Sequence, residues 1–209
     1  MSPGRGRFIV LEGIDGSGTT TQAARLASAL RRDGHRVVTT REPSAGPVGK
    51  LLRDALRRRT RGLSDRALAL LFAADRLHHL ATVVEPALAR GAVVLSDRYV
   101  LSSLAYQGMR LPLAWVASLN EAARRPDLTL YLEVDPSTAG RRRRRRGGPV
   151  EIFDADPVQR AVARAYGRVI GAHGRSQRVV RVDGGGTPGE VTRELLSRAR
   201  AVLSRPGRK

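Results

Sequence analysis

The sequence predicts an α/β architecture of three layers, a five-stranded parallel sheet with helices on both faces. Five short apolar runs (Phe8–Leu11, Arg36–Thr40, Ala92–Leu95, Leu128–Val134 and Arg178–Val182) alternate with segments whose apolar residues recur at helical spacing. Strands that read as unbroken apolar runs belong to sheets covered on both faces, and helical crossovers between them make the pairing parallel. Polar clusters follow the first three runs directly: a glycine loop, then R-E-P at 41–43, then D-R-Y at 97–99. In such sheets ligands sit at the carboxyl ends of the strands, so three polar motifs are expected on one edge.

The elements follow in order. Gly13, Gly16 and Gly18 end the first strand, and from Thr19 a helix carries Ala23, Leu26, Ala27 and Leu30 on one face. Asp33-Gly34 closes it. After the second strand, Gly46-Pro47 starts a helix to about Arg59 with Leu51, Leu52, Ala55 and Leu56 as its apolar face, and Gly62 breaks it. Ser64 is the expected N-cap, with Asp65 in the first turn, of a long helix over 64–89. Beyond the third strand a helix is expected over Leu104–Met109, and Pro112 opens another that ends near Arg125-Pro126. Asp135 and Pro136 close the fourth strand. The arginine run 141–146 and Gly147-Gly148-Pro149 fall in a segment over about 137–153. Asp156-Pro157 starts a helix to His173, Gly184 to Gly186 form a loop, Thr187 caps the last helix, and 205–209 are expected to fray. No linker divides the chain and no repeat is present, so one domain over 1–209 is expected.

With 209 residues, 41% of them hydrophobic, the chain can bury a real core. The absence of cysteine excludes disulfides and thiolate metal sites and suits a reducing cytoplasm. Met1 to Arg7 is too short and polar for a signal peptide, and no apolar run approaches the ~20 residues that span a bilayer. The net charge of +19 is carried almost entirely by arginine, since lysine occurs only at Lys50 and Lys209. These arginines are spread along the chain and aromatics are only 4%, which fits weak nonspecific attraction to nucleic acid rather than a dedicated stacking surface.

The first loop carries the chemistry. Gly13-Ile14-Asp15-Gly16-Ser17-Gly18-Thr19-Thr20 follows the phosphate-binding pattern G-x-x-x-x-G-K-[ST], except that Thr19 stands where the lysine belongs. Glycines let successive N–H groups point inward, and the helix N-terminus adds its positive dipole end. The loop and Thr21 are therefore the expected ATP-binding residues, and Thr20 keeps the hydroxyl expected on Mg²⁺. Asp97, at the end of a buried strand beside the loop, is a second expected Mg²⁺ residue, and Arg98 can clamp a phosphate bidentately. Taken alone, D-R also fits a strand-end ion pair.

Together the motifs resemble those of thymidylate kinases, members of the P-loop nucleoside monophosphate kinase group. The carrying residues are L-E-G-I-D-G-S-G-T-T-T-Q at 11–22, T-R-E-P at 40–43, F-A-A-D-R at 72–76, D-R-Y-V-L-S-S-L-A-Y-Q at 97–107 and E-I-F-D at 151–154. The resemblance implies a P-loop NTPase fold, ATP and dTMP as substrates, dTDP as product, Mg²⁺ with the ATP, and a homodimer formed through helices such as 64–89. It implies that Phe72 stacks on thymine and Arg76 bonds the base, and that Arg41 and Arg98 hold the acceptor phosphate. Pro43, Ser103, Tyr106, Gln107 and Tyr166 would line the nucleoside pocket, with Tyr166 near the deoxyribose. Asp15 resembles the family carboxylate that contacts the sugar or positions the acceptor phosphate. Family members with glycine at the position of Gly16 supply arginine from a lid, so the run 141–146 is the expected lid; Arg141, Arg143 and Arg146 are the candidate catalytic residues, and the sequence does not fix which of the six arginines acts. Three outcomes stay open for the missing lysine: compensation by the lid, a slow enzyme, or a nucleotide-binding homologue that has lost catalysis and acts as a regulator or nucleic-acid binder.

Overall fold

The computed structural model describes residues 6–57, 62–147 and 151–204. Among them β1 (Arg7–Glu12), β2 (Val37–Arg41), β3 (Val93–Asp97), β4 (Leu128–Glu133) and β5 (Val179–Asp183) form one sheet in the order β2-β3-β1-β4-β5. Every pairing is parallel. The five expected strands are therefore present, each within a residue or two of its expected bounds. Central β1 is flanked by β3 and β4, and the chain switches sides there, which puts the first loop in the crevice where such sheets bind ligands. Arg41 pairs with Asp97 and Asp97 with Leu11, so the ends of β2, β3 and β1 are level.

Alternation along β1 divides the core. Phe8 and Val10 face a cluster with Val84 and Leu88, Tyr99 and Leu104, and Val162 and Tyr166. Ile9 and Leu11 face Ala23, Leu26 and Leu30 of α1 (Thr19–Arg32) and Val191, Leu195 and Ala199 of α9 (Pro188–Leu203). Thr187 caps α9 in a capping box with Glu190, as its sequence signal implies.

Several helices depart from expectation, each for a physical reason. Ser64 does cap α3 (Asp65–His79), accepting from the Ala67 N–H, but the expected uniform helix passes through a π-helical stretch, Leu80–Val84, before α4 (Glu85–Ala89). Pro86 has no N–H to offer Thr82 and its ring crowds that carbonyl; the wider turn relieves both. By length and mean hydropathy the run Asp65–Ala89 could cross a bilayer, yet it buries Asp75, Arg76 and His79, whose polar atoms bond to Ser44, Glu42, Asn120 and Thr40. On α2 (Pro47–Leu56), Leu52, Ala55 and Leu56 are buried but Leu51 is 41% exposed and leaves the expected apolar face.

The helix expected from Leu104 begins earlier, as α5 (Val100–Tyr106), and ends in a 3₁₀ turn over Gln107–Met109. The helix opened by Pro112 is only α6 (Leu113–Ser118). It stops because Asn120 turns inward, its amide donating to the Val116 carbonyl while its oxygen receives Arg76. The arginine run lies on α7 (Pro136–Arg146), N-capped by Asp135, and α8 (Asp156–His173) follows as expected. The expected helix end at Arg59, the middle of the segment over 137–153 and the fraying at 205–209 lie outside the described residues.

Candidate active site

The loop after β1 has the backbone that anion binding requires. Gly16 and Gly18 adopt φ 88° and 96°, the left-handed region that favours glycine, and the Ser17 N–H returns to the Ile14 carbonyl at 3.0 Å. α1 then starts at Thr19 with no acidic residue in its first turn, so its free N–H groups present an uncompensated positive end. Thr19 is buried beside them. Above this loop opens a cavity of about 750 Å³, whose wall includes residues Asp15 to Gln22, Arg41, Pro43, Asp97, Arg98, Arg142, Arg143 and Arg146.

Thr20 and Asp97 meet in that cavity. The Thr20 hydroxyl donates to Asp97 Oδ2 at 2.5 Å, while Asp97 Oδ1 is buried without a hydrogen-bond partner among the described residues. An orphaned carboxylate oxygen next to a loop threonine fits a hard divalent cation. Thr20 and Asp97 would hold Mg²⁺, which when bound offsets phosphate charge.

Helix α7 is seated on the loop. A Cβ at Gly16 would lie 2.3 Å from the Ala139 carbonyl oxygen and 2.9 Å from Arg143 Cγ. The glycine and the lid arginines are thus two sides of one arrangement: α7 occupies the space that a side chain at position 16 would need. Arg143 donates to the Asp15 carbonyl at 2.7 Å and to Asp156 at 2.5 Å. Arg142, absent from the sequence expectation, donates to the Gly184 carbonyl at 3.1 Å and the Ser17 carbonyl at 3.4 Å. Residues 142, 143 and 146 share one helical face, which the spacing alone contained. Arg141 lies elsewhere: its guanidinium folds back onto Ser137 and Thr138 of its own helix, exposed. The structure does not bring it to the cavity.

Asp15 is the hub between the two halves of the site. Its carboxylate accepts from Arg98, from the Tyr106 hydroxyl at 3.0 Å and from the Gln159 amide at 2.5 Å; Gln159 Oε1 in turn accepts the Asp15 N–H at 3.0 Å. Gln159 is fully buried on α8, and its sequence context gave no signal for this role. Arg98 also donates to the Gly13 carbonyl at 3.0 Å and lies 5.3 Å over the Tyr106 ring. Burial acts to lower the Arg98 pKa, but Tyr106, Asp15, Tyr166 and Asp97 around it outweigh that, so the guanidinium stays charged well above its ordinary value.

A second, smaller cavity of about 90 Å³ adjoins the first, and Asp15, Pro43 and Arg98 line both. Phe72, Arg76, Ser103, Tyr106 and Gln107 stand in its wall, as does Phe153, whose ring meets Tyr106 edge-on at 5.2 Å. Phe72 and Arg76 reach it from one face of α3. Arg76 is 1% exposed and bonded throughout, to Glu42 (2.8 Å), Asn120 and Ser103 (3.0 Å), and lies 5.1 Å over Tyr99. Gln107 Oε1 is buried without a hydrogen-bond partner among the described residues. Ile152, whose N–H donates to the Leu56 carbonyl at 3.1 Å, packs with Phe72 against Leu52, Ala55 and Leu68 and covers this side.

These features were compared with known proteins. The family model for thymidylate kinase matches residues 11–195. The chain belongs to the thymidylate kinase family. A probable thymidylate kinase of Pyrobaculum calidifontis is 41% identical over 204 residues, covering 95% of this chain and 100% of that protein. A thymidylate kinase of Clavibacter sepedonicus is 41% identical over 207 residues, 95% of this chain and 97% of its own length. A probable thymidylate kinase of Pyrococcus abyssi is 44% identical over 167 residues, 78% of this chain and 82% of that protein.

Set against the thymidylate kinase resemblance, two site expectations need correction. Tyr166 is 0% exposed and does not line the smaller cavity; its hydroxyl is spent on Glu12 and Ser102, both at 2.9 Å. Burial raises its pKa well above the ordinary value, so it is a neutral donor there. Arg141 is replaced by Arg142 on the cavity face. Arg41 is exposed at the end of β2 and lines the larger cavity, on the same level as Asp97.

Proposed function

We propose that this chain transfers the terminal phosphoryl group of ATP, with Mg²⁺, to dTMP, giving ADP and dTDP. The carrying observation is Arg98: one fixed guanidinium stands in the wall shared by two cavities, tied to Asp15 and to the loop backbone. Phosphoryl transfer needs in-line placement and cations around developing charge, with little covalent help. ATP fits the larger cavity with its phosphates on the loop between Gly13 and Thr21. The thymine end of dTMP fits beside Phe72 and Arg76, with its phosphate toward Arg41 and Arg98. Asp15 holds Arg98 and faces the acceptor. Arg142, Arg143 and Arg146 supply the positive charge that Thr19 cannot.

The smaller cavity is well below the ~300 Å³ typical of small-molecule sites, so dTMP enters with movement of the 151–154 segment off α2. A coupled assay with purified protein, ATP, Mg²⁺ and dTMP tests the reading: ADP forms only when dTMP is present. Absence of ADP above background contradicts it. Competition among dTMP, dUMP, dCMP and dGMP tests the acceptor, with dTMP expected to win.

The same reading takes residues 1–209 as one domain acting in the cytoplasm. It takes the chain as a homodimer that covers Leu70 and Leu77, 51% and 43% exposed and seven residues apart on α3. Sedimentation equilibrium is expected to return twice the chain mass of 22.7 kDa.

A further inference from the structure

Glu12 closes β1 and is 0% exposed, yet it lines neither nucleotide cavity. Its Oε1 accepts the backbone N–H groups of Tyr99 at 2.8 Å and Ser102 at 3.2 Å. Its Oε2 accepts the Ser102 hydroxyl at 2.6 Å and the Tyr166 hydroxyl at 2.9 Å. One carboxylate therefore joins the end of β1 to the first turn of α5 and to α8. It also explains why α5 starts at Val100 with no cap from its own side chains.

Arg98 sits between these anchored points with φ 74°, a left-handed backbone that a residue of its bulk adopts only when its surroundings impose it. Its N–H donates to Leu11 at 2.8 Å and its carbonyl accepts the Ser96 hydroxyl at 2.9 Å. The next N–H along, that of Tyr99, is the one Glu12 holds. Ser102 Oγ, bonded to Glu12, also accepts from Arg98 Nη1 at 3.3 Å. Backbone and side chain of Arg98 are thus both steered from the same buried carboxylate.

We propose that Glu12 is a positioning residue for phosphoryl transfer: it fixes the left-handed turn at Arg98 and, through Ser102, aims the guanidinium at the point where the two nucleotides meet. The proposal rests on the dTMP kinase reading. A group needed only for packing has no reason to be a carboxylate, because burial makes its charge costly. That burial pushes the Glu12 pKa up to about 7, against the lowering effect of the Ser102 hydroxyl, the Arg98 charge and the Tyr166 hydroxyl. The groups facing it are Arg98 from the β3–α5 turn, Tyr99 and Ser102 of α5, Tyr166 of α8 and Tyr131 of β4. Arg98 is the cation among them. Protonation gives Oε2 one hydrogen to donate, so it displaces the donation of either the Ser102 or the Tyr166 hydroxyl and loosens the grip on Arg98.

The test is steady-state kinetics of the wild type and Glu12→Gln from pH 5.5 to 8.5. At pH 8 the variant is expected to lose ~10- to 100-fold in kcat/KM for dTMP with KM for ATP unchanged. The deficit shrinks toward parity as pH falls below about 7, where the wild type protonates Glu12. The phosphate of dTMP titrates near 6 in both proteins, so the ratio of variant to wild type is the reading. A ratio that is constant with pH, or equal to one throughout, overturns the proposal. If Glu12→Gln does not fold, Ser102→Ala removes the relay alone; a raised KM for dTMP supports the proposal and wild-type kinetics overturn it. A wild type without turnover defeats the dTMP kinase reading instead, and calorimetric dTMP affinity then decides: equal affinity in wild type and Glu12→Gln overturns the proposal. A wild type that neither turns over nor binds dTMP overturns both.

Discussion

The two halves of the site hold their positive charge in opposite ways. On the acceptor side Arg76 and Arg98 are buried or half-buried, bonded to Glu42 and Asp15, and fixed by core elements. On the donor side Arg142 rests on backbone carbonyls alone, those of Ser17 and Gly184, while Arg143 divides between the Asp15 carbonyl and the Asp156 carboxylate of α8. Carbonyl contacts are readily exchanged for phosphate oxygens, and carboxylate pairs are not. By that rule Arg76 and Arg98 are the firmly placed cations, and Arg142 is the one whose present partners a phosphate could replace.

The largest expected effect breaks the preorganised half. Arg98→Gln should lower kcat/KM for dTMP by ~10³-fold or more while leaving the KM for ATP within a few fold. Equal damage to both substrates would show that Arg98 serves both sides. Next in size is the lid: Arg143→Gln and Arg146→Gln should each lower kcat by ~10²-fold, with dTMP affinity little changed, while Arg141→Gln stays near wild type. Damage from Arg141→Gln equal to that of its neighbours would mean that α7 rotates on closure.

Gly16→Ala sharpens the link between glycine and lid. The added methyl meets the Ala139 carbonyl at 2.3 Å, and φ 88° is strained for alanine, so turnover should fall ~10-fold as α7 is pushed away. Unchanged turnover would mean that the lid is not held where these contacts place it. A further effect is on stability. A buried acid whose pKa is raised in the folded state favours folding below its unfolded value of 4.5 and loses that contribution as pH rises through about 7. Glu12→Gln removes this loss. Its unfolding free energy relative to wild type should rise by on the order of 3 kcal/mol between pH 4.5 and 7 and then level off. A pH-independent difference in denaturant titrations would contradict the raised pKa.

Much of this arrangement was legible in the sequence, for physical reasons that also explain the failures. Continuous apolar runs identify buried parallel strands, and motifs at their ends had to share an edge, so Asp15, Arg41, Asp97 and Arg98 were found together. Phe72 and Arg76 were readable through the F-A-A-D-R resemblance, and helical spacing is consistent with it because it puts both on one face. What escaped were partners set by tertiary approach: Gln159 and Asn120 reach Asp15 and Arg76 only because α8 and the end of α6 are folded against them. Glu12 was hidden in an apolar strand, and its capping of α5 from a distance displaced the expected helix start. Tyr166 was misplaced since its hydroxyl serves Glu12 instead of the cavity. Arg142 was within reach, as the face shared with 143 and 146 follows from spacing, but the fixed end of that face is set by Gly184 on another element.

The central claim is that lid guanidinium groups stand in for the ammonium absent at Thr19, and a double-mutant cycle measures it directly. Arg143→Gln is made in the wild type and in Thr19→Lys, and kcat for ATP-dependent dTMP phosphorylation is compared. The account predicts that the loss caused by Arg143→Gln is at least tenfold smaller when lysine occupies position 19, a coupling of about 1.4 kcal/mol. The same loss in both backgrounds would contradict it.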